Sequence, residues 1–212
     1  MNNSFDKKAG IALILFSILL VFTIVLHPTG GGIQHLINIT GMIVVTHSVA
    51  ILSLPFGFLG FRGLTRKLGM DHFWSVLAFG MASLGLIAAL CAGATNGLVL
   101  PIFLQHYKDA TPEALTAIDP ILRYSFAINH AFDYIYTGAF CLAILCWSIA
   151  IVKTKNLPVW MGWLGIVISV ATAVIFLFGM VTPVNVLGLR IFVASILIWI
   201  LLAGRALISY DR

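Results

Sequence analysis

The chain has 212 residues, 61% of them hydrophobic and only 9% charged, with a formal net charge of +5 at pH 7 and a mean hydropathy of +1.08. A soluble domain carries about 25% charged residues because water must wet its surface, so this composition excludes a water-facing globule and makes lipid the solvent. It also argues against a nucleic-acid partner, because the Lys and Arg fall between apolar runs, where membrane topology accounts for them.

Apolar runs lie at about residues 9–27, 42–61, 73–95, 126–152, 158–181 and 187–207, each near or above the ~20 residues that cross a bilayer. A helix satisfies its own backbone groups in lipid, so each run predicts one transmembrane helix. The first run follows Lys7 and Lys8, as a signal peptide would, but its exit reads TIVLHPTGGG. That exit has no small-x-small cleavage site, and the run is read as a permanent span. Six spans put both termini on one side. Lys7, Lys8, Arg62, Arg66, Lys67, Lys153, Lys155, Arg205 and Arg212 fall on that side, against Lys108, Arg123 and Arg190 on the other. The excess predicts cytoplasmic termini. The expected fold class is therefore an all-α integral membrane protein, a single six-transmembrane-helix bundle over residues 1–212.

The longest connection, 96–125, is expected on the outer side with a short helix of its own. In DATPEALTAIDP, Thr111 or Asp109 can cap it, with Pro112 in its first turn and Glu113 near the favourable dipole end. Asp119-Pro120 repeats that signal and starts the fourth membrane helix early. The cysteines Cys91, Cys141 and Cys146 have no metal-ligand spacing and read as small buried hydrophobes.

Counting outward from the cytoplasmic charges gives each polar residue a depth. The ~20-residue core of the fourth helix ends near Asp133, with His130 and Asn129 just above it. His47 and Arg190 lie about 7–8 Å inside the outer boundary, and His27 lies at that boundary. In NHAFDYIYT, residues 129–137, Asn129, His130, Asp133, Tyr134, Tyr136 and Thr137 fall within an arc of about 160° at 100° per residue. That face is expected to look into the bundle. Of the seven acidic residues, Asp133 alone falls at membrane depth, and Arg190 is the base inside the core. Charges in spans mark pairs or ligand sites.

Several readings follow. A structural one is an Asp133–Arg190 ion pair joining two helices, or Arg190 reaching to headgroups. A second is an outward-facing pocket of Asp133, Arg190, His47, His130, Asn129 and Tyr134 that binds or transports a small polar or anionic ligand, with Pro55 and Pro101 helping to shape it. A third is a zinc or iron site of His47, His130, Asp133 and His27 in a membrane enzyme acting near the outer leaflet, with Arg190 stabilising developing negative charge. Haem held by His47 and His130 is disfavoured, because no second matched histidine pair is present. Neither HExxH nor any nucleotide fingerprint occurs.

The phrases HPTGGG, HSVAILSLPFGFLGFRGLTRKL, NGLVLP and LPVWMGWLGIVISV together resemble an uncharacterised bacterial family of small six-span integral membrane proteins, of the domain-of-unknown-function type. The resemblance implies a multi-pass protein of the bacterial inner membrane. It implies no activity and no site residues.

Overall fold

The computed structural model describes residues 3–27, 31–177 and 186–210, with side chains over 4–27, 31–176 and 190–210. Eight α-helices and one π-helical turn account for most of these residues: α1 (Asn3–Leu26), α2 (Ile33–Asn38), α3 (Thr40–Leu68), α4 (Phe73–Ala94), the π turn (Thr95–Val99), α5 (Leu100–Gln105), α6 (Pro112–Thr154), α7 (Val159–Leu177) and α8 (Val186–Ser209). Six stretches are long and apolar enough to cross a membrane, and they centre on α1, α3, α4, α6, α7 and α8. This is an all-helical, six-span bundle and a multi-pass membrane architecture.

Each span packs on the next in chain order, and α8 returns to α1, so the six close a ring. Small residues set the closest crossings. A side chain added at Gly57, Gly60 or Gly63 of α3 would meet Phe16, Leu13 and Ala9 of α1 respectively. Such spacing lets backbones approach where no hydrophobic force distinguishes protein from lipid. Inside the ring, toward the termini, aromatic side chains fill the centre. Phe61 stacks on Trp147 at 5.1 Å between centroids, and Trp147 on Trp199 at 6.2 Å. Their indole N–H groups are satisfied, Trp147 donating to Thr65 Oγ1 at 3.0 Å and Trp199 to the Met161 carbonyl at 3.1 Å. Buried indoles need such partners.

The 96–125 segment differs from expectation. The span begun by α4 continues through the π turn and α5, whose Pro101 sits in the first turn. Proline cannot donate to the preceding turn, and a π turn is one way for a helix to absorb that loss. The expected short helix and the fourth span are one 43-residue helix, α6, capped by Thr111, whose hydroxyl accepts from the Ala114 N–H. Pro120 is carried inside it rather than starting it. At 1.5 Å per residue α6 is about 65 Å long, twice a ~30 Å hydrocarbon core. Its excess length forms a cap with α2 and α5, packed through Leu36, Ile37, Leu104, Ile118 and Leu122. Gln105 Nε2 ties this cap together, donating to the Ile37 carbonyl at 3.1 Å and to Thr40 Oγ1 at 2.7 Å.

Candidate functional site

A cavity of about 190 Å³ lies within the ring, in the half away from the termini. Among the described residues, every span except α7 contributes to its wall. Its apolar lining includes Phe16, Leu20, Leu54, Leu86 and Val193, and its polar lining is Thr23, His27, His47, Asn129, Asp133 and Tyr136. The aromatic core closes it toward the termini: the wall residue Phe16 meets Phe61 at 5.6 Å, and Tyr136 meets Phe140 at 4.9 Å.

Each polar wall residue is held by local geometry. In α6, Asn129, Asp133 and Tyr136 follow the i, i+4, i+7 rule and share one face. The Asn129 amide donates to Asp133 Oδ2 at 2.9 Å, which orients both groups. Above them, Ser125 Oγ donates to Asn96 Oδ1 at 2.6 Å and anchors α6 to the π turn. In α3, His47 Nδ1 lies 2.8 Å from the Ile43 carbonyl. A carbonyl only accepts, so Nδ1 donates and carries the proton. The His47 ring meets His27 edge-on at 5.3 Å. Behind it stands Gly97 of the π turn, where an added Cβ would overlap the Cβ and Cγ of His47. The bare glycine backbone makes the room that the histidine occupies.

Arg190 does not line the cavity. Its Nη2 donates to the His27 carbonyl at 3.2 Å, just past the last residue of α1. Carbonyls at a helix C-terminus lack partners and carry partial negative charge, which a guanidinium satisfies. Arg190 thus acts on the wall through the His27 backbone.

The structure brings some of the sequence-derived residues together and separates others. Asp133 and Arg190 form no ion pair, since the ion pairs among the described residues are Arg66–Asp6 and Arg123–Asp119. The reason is topological, because α8 packs mainly on α1 and touches α6 little. Tyr134 is 55% exposed and Tyr136 takes the place on the wall expected of it. His130 also lies off the cavity wall. Flanked by α4 and α7, α6 turns only a narrow face inward, so the 160° polar arc is divided rather than wholly internal. The four residues proposed for zinc or iron, His27, His47, His130 and Asp133, do not assemble. Among the described residues no group of three or more His, Cys, Asp or Glu is placed to hold a metal. His130, the second ligand of the His47–His130 haem reading, is not on the wall that His47 lines. Asn129, His47, His27 and Asp133 do come together.

Tyr136 lay on the polar arc read from the sequence, seven residues from Asn129, whereas Thr23 and Gly97 were not singled out, and Gly97 carried no signal apart from Pro101 one turn on. Comparison with known proteins adds no relative: no family model, no curated protein and no solved structure matches the chain. The family resemblance noted above rests on the quoted phrases alone.

Proposed function

We propose that the protein binds a small amphipathic molecule bearing hydrogen-bond donors in this cavity, on the non-cytoplasmic side of a cell membrane. The observation that carries this reading is the cavity's division into an apolar wall and an acceptor-rich wall that contains Asp133 and, among the described residues, no Lys or Arg. An apolar cleft with a few convergent polar groups is the usual form of a small-molecule site. The anionic alternative required Arg190 at the wall, and its contact with the His27 carbonyl favours the neutral or cationic alternative. Binding is preferred to transport because the Phe61–Trp147–Trp199 stack stands between the cavity and the termini side. Transport requires that stack to part.

The test is a thermal-shift panel on protein purified in detergent, comparing small amphipathic amines and alcohols with organic anions of matched size. Amines or alcohols are expected to raise Tm in the wild type and to lose most of that effect in Asp133→Asn and His47→Phe. Stabilisation by anions alone, or by amines equally in all three proteins, refutes the reading.

A further inference from the structure

A second concavity, independent of the cavity above, lies at the termini end of the bundle between the start of α7 and the end of α8. It measures about 390 Å³, and its lining includes Trp160, Met161, Leu202, Arg205, Ser209 and Tyr210. Met161 is buried and forms an apolar floor, whereas Trp160 is 57% exposed and Arg205 is also exposed. Among the described residues no carboxylate lines the groove and Arg205 makes no ion pair. A second cation stands close by: Lys67 Nζ donates to the Tyr210 carbonyl at 3.1 Å. Attraction to the α8 C-terminus accounts for a cation at Arg205. It does not account for a groove with an apolar floor and an exposed tryptophan beside it.

Depth identifies the occupant. Lys153 and Lys155 directly precede α7, and Arg62, Arg66 and Lys67 close α3 at the same end. The exposed Trp160 and Trp163 mark the interfacial level that amphipathic rings prefer. The exposed apolar side chains Ile198 and Leu201 continue along α8 from the groove. A pocket between two spans at headgroup level, with Arg205 exposed in it and Lys67 close by, suits a headgroup of net negative charge. We infer that this groove is a binding site for one anionic phospholipid, its phosphate at Arg205 and the indole of Trp160, and its glyceryl and first acyl carbons against Met161 and Leu202.

Native mass spectrometry in detergent tests this with phosphatidylglycerol and phosphatidylcholine as probes. The wild type is expected to bind one phosphatidylglycerol in preference to phosphatidylcholine. Arg205→Gln should weaken that single event at least about fivefold, roughly the contribution of one basic residue at an anionic surface. Trp160→Ala should weaken it as well. Arg62→Gln removes an exposed charge at the same end but outside the groove, and should leave it unchanged. Equal losses from Arg62→Gln and Arg205→Gln, absence of lipid preference in the wild type, or displacement by millimolar inorganic phosphate overturns the inference. Both arginines are exposed, and an unchanged Tm in each variant separates lost binding from lost fold.

Discussion

Replacing Gly97 by Ala perturbs the histidine wall with a single methyl group. The added Cβ meets the Cβ and Cγ of His47, and the Cβ is fixed by the α3 backbone, so no rotamer change can move it out of the way. Overpacking of this kind costs about 1–3 kcal/mol. Tilting the ring also strains the bond between His47 Nδ1 and the Ile43 carbonyl, worth about 1 kcal/mol. Against this stands a gain of up to ~1 kcal/mol from replacing glycine in a helix. The net expectation is a loss of about 2 kcal/mol, a factor of about 30 in the unfolding equilibrium. Gly80 and Gly138 are the controls, since an added Cβ there meets nothing within 4 Å. Gly80→Ala and Gly138→Ala should be neutral or stabilising by up to ~1 kcal/mol. Reversible unfolding of the three variants by dodecyl sulfate titration measures the difference, and ¹⁵N shifts of His47 report whether its Nδ1–H tautomer persists. Gly97→Ala as stable as the two controls, with the tautomer unchanged, would refute the close approach of the π turn to α3.

Arg66→Gln should cost roughly 3 kcal/mol, because it leaves Asp6, only 3% exposed and paired at 2.6 Å, as an uncompensated buried charge. It also removes the cation 4.2 Å above the Phe5 ring. Adding Asp6→Asn should recover part of the loss, whereas Arg123→Gln, breaking an exposed pair one helical turn apart, should cost under ~0.5 kcal/mol. A double-mutant cycle measured by the same unfolding titration checks this, and additive losses at Arg66 and Asp6 would contradict it. Arg190→Gln should lose about 1.5–3 kcal/mol as the His27 carbonyl loses its charged donor. Arg190→Lys should restore part of it, and equal Tm values for the two variants would show that the contact contributes nothing.

The number of spans was legible in the sequence because a bilayer imposes it. A span must supply about 20 apolar residues, and counting from charged ends converts residue number into height. His27 and His47, set about 7–8 Å apart in height by that count, nonetheless meet at 5.3 Å between ring centroids. Rotation about each helix axis was far less legible. Lipid and protein interior are both apolar, so an inward-facing leucine and an outward-facing one look alike in sequence. The polar arc of α6 therefore pointed inward only in outline, and packing against α4 and α7 chose Tyr136 over Tyr134 for the cavity. Likewise two charges at similar depth suggested a pair. The order of helices around the ring instead gave Arg190 to the end of α1 and left Asp133 with Asn129. Composition settled which six stretches are long and apolar enough to cross a membrane, whereas only the packing of six helices decided which side chains face one another, because contact across a ring depends on angle and neighbour, and neither is written in hydropathy.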